Sequence, residues 1–168
     1  MRRSRLGAWL LALAFVPVAA SGAFDANGVK LGDNELAIKK AFPGIHCKAL
    51  EWKSDAADRR CDDAKVPFGG VEARITVYLK ANSVQGFDVR FDTVQLETVT
   101  AYLKTRYGKP VSESKDTILN KNREAREVFK VLWEQGADKA MLSSISTGKR
   151  AALSVSRGNF DDAIYRIR

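Results

Sequence analysis

The stretch Val71-Glu72-Ala73-Arg74-Ile75-Thr76-Val77-Tyr78-Leu79 alternates strictly, with Val71, Ala73, Ile75, Val77 and Leu79 in one set and Glu72, Arg74, Thr76 and Tyr78 in the other. Successive side chains of a strand point to opposite faces of a sheet, so this period of two predicts a strand with one buried face. Phe68-Gly69-Gly70 breaks the chain before it, and Ala81 to Ser83 turns the chain after it. Phe87, Val89 and Phe91 then alternate with Asp88 and Arg90, which predicts that the two runs pair as an antiparallel hairpin.

Outward from this hairpin the period changes to that of helices. Asp92 is placed to cap a helix in which Leu96, Val99, Leu103 and Tyr107 share one face and which Gly108 and Pro110 end. Upstream, Asp33 is placed to cap a shorter helix running to about Phe42, with Glu35 in its first turn and Leu36, Ile38, Ala41 and Phe42 as a partial apolar face before Pro43 and Gly44. Downstream, Val111 to Leu119 has no clear period, and Asn120-Lys121-Asn122 reads as a turn. Phe129, Val131 and Trp133 alternate with Lys130 and Leu132 up to a turn at Gln135 to Asp138, which assigns Trp133 to the core. Lys139 to Ile145 and Arg150 to Ser156 are further strand candidates. Asn159 to Arg168 stays open between a strand, a helical turn and a frayed end.

The order helix, strands, helix, strands, with each helix opened by Asp and closed by Gly and Pro, suggests a degenerate repeat of about 60 residues. At 168 residues, 45% hydrophobic and 29% charged, the composition excludes a disordered or collagen-like chain. One α+β domain over 24–168 is expected: two αβββ units, about 31–91 and 92–168, with their helices packed on one antiparallel sheet, because each unit alone has too little core.

Residues 1–23 have the order of a cleaved secretory signal peptide: Arg2, Arg3 and Arg5, the apolar run Leu6 to Ala20, then small residues through Ala23. The run is shorter than the roughly 20 residues a membrane span needs, and Pro17 lies near its end, so no transmembrane segment is expected after cleavage. Val18 and Ala20, or Ser21 and Ala23, fit the small positions before the cut. Removal takes three arginines and no acidic residue, which lowers the formal charge from +8 to +5. Cys47 and Cys61 are the two cysteines, an even count that in an exported chain favours a disulfide across a small hairpin with arms Cys47 to Lys53 and Arg59 to Cys61. A periplasmic or secreted protein is the expectation.

The layout resembles the small bacterial envelope proteins that share the β-lactamase-inhibitor-protein fold, including outer-membrane assembly factors of the small-protein-A type. The features that carry it are Gly32-Asp33 before the helix Glu35 to Phe42, Pro43-Gly44 after it, a Cys just beyond and another at the next hairpin, and Tyr107-Gly108-Lys109-Pro110 closing the second helix. The chain departs from these families in having no lipidation Cys near the cut and no second Cys pair. The resemblance implies a non-catalytic protein that grips another protein with its sheet face or loops.

Catalytic chemistry finds little to work with. His46 is the one histidine and stands beside Cys47, where strand neighbours point to opposite faces. Nucleotide-binding glycine loops, a GxSxG elbow and metal-ligand spacings are lacking, so no cofactor and no metal are expected. Asp58 and Asp62-Asp63 read as a solvated turn, and a hydrolase with an unrecognised acidic site remains the third reading. Charge is more informative: 24–103 holds 11 basic and 12 acidic residues, whereas 104–168 holds 14 basic and 8 acidic. Lys115, Lys121, Arg123, Arg126 and Lys130 crowd the turn near Asn120, with Glu113, Asp116, Glu124 and Glu127 interleaved. Such a cluster can steer an anionic partner, and export disfavours nucleic acid. The first expectation is therefore an exported, non-catalytic protein that binds, or by binding inhibits, an envelope or extracellular protein. The second is an envelope structural factor that holds anionic lipid or cell-wall polymer through the basic turn. Trp52, Lys121, Arg123, Arg126 and Lys130 are the candidate contact residues.

Overall fold

A computed structural model describes residues 23–119, 121–122 and 124–164. The signal-peptide assignment, up to residue 22, and Arg123 lie outside the described residues.

The described chain is mostly β. A small hairpin, β1 (Asp25–Ala26) and β2 (Val29–Lys30), precedes α1 (Glu35–Ala41). Four strands follow: β3 (His46–Ala49), β4 (Arg59–Phe68), β5 (Val71–Lys80) and β6 (Ser83–Asp92). A 3-10 turn (Thr93–Gln95) leads into α2 (Leu96–Tyr107), and four more strands follow: β7 (Ser112–Leu119), β8 (Ala125–Gln135), β9 (Asp138–Ile145) and β10 (Arg150–Arg157). A short helix, α3 (Phe160–Ala163), closes the described chain and resolves that open segment as far as Ile164.

The eight long-sheet strands form one sheet in the order β3-β4-β5-β6-β10-β9-β8-β7, with every neighbouring pair antiparallel. The order is a palindrome of the two halves: each half runs outward from its last strand, and β6 meets β10 in the middle. The β5–β6 hairpin has Ala81 and Asn82 in the left-handed region (φ 48° and 61°), the pair of positive angles a type I′ turn demands.

Ile38 of α1 and Phe42 at its C-cap, and Val99, Leu103 and Tyr107 of α2, share one core with Ile75, Val77, Val89, Leu153, Leu142 and Trp133. Both helices therefore cover the same face. Trp133 is 1% exposed and donates Nε1–H to the Gly108 carbonyl at 2.9 Å, as its alternation required. Cys47 and Cys61 are direct cross-strand partners joined by a disulfide.

Several expectations need correction. The cap of α1 is Asn34, whose side chain accepts from the Ala37 amide at 3.0 Å, while Asp33 accepts from the Lys30 amide at 2.8 Å. Asp92 accepts from the Val94 amide at 3.0 Å, so it opens the 3-10 turn before α2 and not α2 directly. The first arm of the disulfide hairpin ends at Ala49. Its second arm continues to Phe68 through an irregularity between Asp63 and Val66. The segment without a period, β7, is an edge strand exposed at every position but the half-buried Ser114, which is why no alternation marks it. α1 and α2 are each followed by four strands where about three were expected.

Candidate functional site

The face of the sheet away from α1 and α2 is built from the other half of each alternation. In register across β5, β6, β10, β9 and β8 it presents Arg74, Arg90, Ala152, Ser143 and Lys130. The row beside it holds Asp62, Thr76, Asp88, Ser154, Met141 and Leu132. Thr76 donates Oγ1–H to Asp62 at 2.9 Å. Burial, opposed in part by the Ser154 hydrogen bond and by the Arg90 charge, pushes the Asp88 carboxyl above its ordinary range.

One corner of this face is covered. Phe160 of α3 lies over Gly86, where an added Cβ would come within 2.6 Å of the ring. Phe160 also meets Tyr78 at 5.6 Å between ring centres. Trp52 joins the same cluster with Leu50, Ala57 and Ile164, half-buried, and donates Nε1–H to the Ile164 carbonyl at 2.8 Å. Its indole N–H is thus engaged inside the chain, and the ring clamps the loop of residues 50–58 to α3.

The basic turn is divided by the pleat. Lys115 lies on the helix-bearing side and pairs with Glu127 at 3.1 Å. Arg126 and Lys130 belong to the open face, opposite Ile118 and Ser114 respectively. Lys130 is exposed, whereas Arg126 is half-buried and its Nε has no hydrogen-bond partner among the described residues. Lys121 is exposed in the turn itself.

His46 is exposed at the start of β3, beside a sulfur already committed to the disulfide, so no thiolate is available to it. It borders a shallow depression of about 660 Å³ shared with Lys48, Arg60, Asp62, Asp63 and Arg74. A larger open groove of about 720 Å³ runs on the helix side between α2 and β7 to β9. Phe129, Val94 and Leu96 line it, and the ion pairs Lys104–Glu113 (2.6 Å) and Lys115–Glu127 lie along it. Among the described residues, no group of three or more His, Cys, Asp or Glu side chains is placed to hold a metal ion.

Sequence reading missed Arg74, Arg90 and Arg150 as candidates. The signal was present for the first two: each occupies an outward position of an alternating strand. Their direct opposition becomes visible only once the register is known. No protein-family model, curated protein or solved structure matches this chain.

Proposed function

We propose that this chain is an exported, non-catalytic protein that binds another protein, or inhibits it by binding, through the open face of its sheet. The observation that carries this reading is the eight-stranded sheet with two helices on one face and, on the other, a broad surface covered among the described residues by α3 and the 50–58 loop at one corner. An antiparallel sheet of this width is a rigid platform, and its outward side chains are held at fixed spacing by ladders on both sides. The disulfide and the absence, among the described residues, of a helix long and apolar enough to cross a membrane accord with a periplasmic or secreted location. The palindromic strand order supports two related units, about 31–91 and 92–168.

The test is site-directed photo-cross-linking in the producing cell. A photoreactive residue replacing Met141, exposed on the open face, is compared with one replacing Leu36, exposed on α1. A discrete protein adduct from position 141 and none from position 36 is expected. Adducts from position 36 alone, or from neither position, would overturn the reading.

A further inference from the structure

The eight arginines among the described residues divide by pairing. Arg59 pairs with Glu35, Arg60 with Asp62, Arg106 with Asp25 and Arg157 with Asp138, all within 2.9 Å. Arg74, Arg90, Arg126 and Arg150 make no ion pair among the described residues, and all four belong to the open face of the sheet. Arg74 and Arg90 are direct cross-strand partners, which sets their Cβ atoms about 4.5–5.5 Å apart. Directly opposed like charges work against a sheet, so this pair does nothing for the fold.

On the same face Glu134 stands exposed at the end of β8, but the carboxylates nearer the arginines are engaged: Glu72 pairs with Lys65 at 3.0 Å. Asp62 is held by Arg60 and Thr76, Asp92 caps the Val94 amide, and Asp116 accepts from Ser114 at 3.0 Å. Asp88 is close enough to feel the Arg90 charge, and it is half-buried beside Ser154. In the row beyond Arg90 stand the small residues Ala152 and Ser143 and then Lys130. The cations thus flank a low strip about 14 Å across, at about 4.8 Å per strand.

We propose that this strip is a recognition site for carboxylates on the surface of a partner protein, with Arg74 and Arg90 as its anchors. This rests on the protein-binding reading above and names the chemistry of the partner. Three features favour an acidic protein over other polyanions. Arginine presents a planar fork that matches a carboxylate in two parallel hydrogen bonds. Met141 and Ile145, 38% and 41% exposed, interleave apolar surface with the charges, as at protein interfaces. Finally, α3 stands on the same face about one helix diameter, roughly 10 Å, above the sheet, which obstructs a planar membrane more than a convex protein.

The experiment measures binding of the purified mature chain to poly-L-glutamate, to vesicles of anionic phospholipid and to single-stranded DNA of matched charge, across a salt series. Arg74→Gln/Arg90→Gln is compared with Lys40→Gln/Lys109→Gln, which removes the same charge from exposed positions elsewhere. Expected are tightest binding to poly-L-glutamate, weakening as salt rises, a loss of about tenfold or more in the arginine variant and less than about twofold in the lysine variant. Equal losses in the two variants, or tighter binding to vesicles or DNA, would overturn the proposal. The Met141 cross-link separates the two claims. An adduct that persists undiminished in the arginine variant sinks the carboxylate site and leaves protein binding standing. Arginine-dependent glutamate binding with no adduct does the reverse.

Discussion

Asp25 offers the sharpest test of what holds α2 and the first hairpin together. It is 3% exposed, and its carboxylate accepts from three donors: Arg106 Nε at 2.7 Å, Arg106 Nη2 at 2.6 Å and the Gly28 amide at 2.7 Å. Its own carbonyl accepts the buried Tyr107 hydroxyl at 2.7 Å, so one residue ties β1 and β2 to the last turn of α2. Burial holds the Tyr107 hydroxyl far above its ordinary pKa, and the adjacent carboxylate holds Arg106 above its own. In Asp25→Asn one oxygen becomes an NH2 group aimed at another donor. Breaking a buried pair costs about 3–5 kcal/mol, but the Arg106 side chain is 43% exposed and can rehydrate, which reduces the expected loss to about 2–3 kcal/mol. At about 2–4 °C per kcal/mol for a chain this size, the melting temperature falls by about 4–12 °C. Urea unfolding can be followed through Trp133, whose ring meets that of Tyr107 at 5.8 Å. A loss below about 0.5 kcal/mol would refute the reasoning, as would strict additivity of Asp25→Asn and Arg106→Gln, because partners in one contact must couple.

Gly86→Ala should cost about 1–3 kcal/mol by driving a methyl into Phe160, and should accelerate amide exchange in 159–164 while β5 is unchanged; uniform exchange would count against α3 resting on that glycine. Cys47→Ala/Cys61→Ala opens a loop of 14 residues and should lower stability by about 3 kcal/mol, read as a fall in the urea midpoint; a fall equivalent to under 1 kcal/mol would show that pairing of β3 with β4 suffices. Asp88 carries a pH signature. Its folded pKa lies above the unfolded value, so the native state binds the extra proton between the two, and the penalty of the buried charge is present above the folded pKa and relieved as pH falls through it. Asp88→Asn should therefore be more stable than the wild type at neutral pH, with the difference shrinking as pH falls toward the ordinary carboxylate range; a difference that grew on acidification would reverse the assignment.

The central hairpin, α2, the core position of Trp133 and the disulfide were legible because each is written in local periodicity or in a count. The cap of α1 was misplaced by one residue because Asp33 and Asn34 are both competent acceptors, and only the hairpin contact of Asp33 to the Lys30 amide decides between them. The β1–β2 hairpin escaped notice although Asn27-Gly28, with φ of 50° and 93°, is a strong turn signal. β7 carries no alternation because an edge strand can be wet on both sides. The pairing of β6 with β10 joins residues more than 60 positions apart, such as Val89 and Leu153, and no local pattern encodes it.

That distant pairing also explains why the charge count along the chain did not single out Arg74 and Arg90. Counting by segment concentrates the basic excess after residue 104 and so selects the turn near Lys121. Folding redistributes it: Lys115 is neutralised on the helix side, and Lys104, Lys139 and Arg157 find Glu113, Asp161 and Asp138. What survives on the open face without an ion pair among the described residues comes from both halves, Arg74 and Arg90 from the first, Arg126, Lys130 and Arg150 from the second. The two sets become neighbours only because each half ends on the strand that meets the other. A surface assembled this way exists in neither half alone, so a change that weakens the β6–β10 seam, such as Leu153→Ala in the buried core beside Val89, should lower carboxylate binding together with stability. Arg74→Gln/Arg90→Gln should lower binding with stability unchanged or slightly raised, because it relieves a like-charge pair. Stability that falls in the arginine variant as it does in Leu153→Ala would mean that the arginines serve the fold after all.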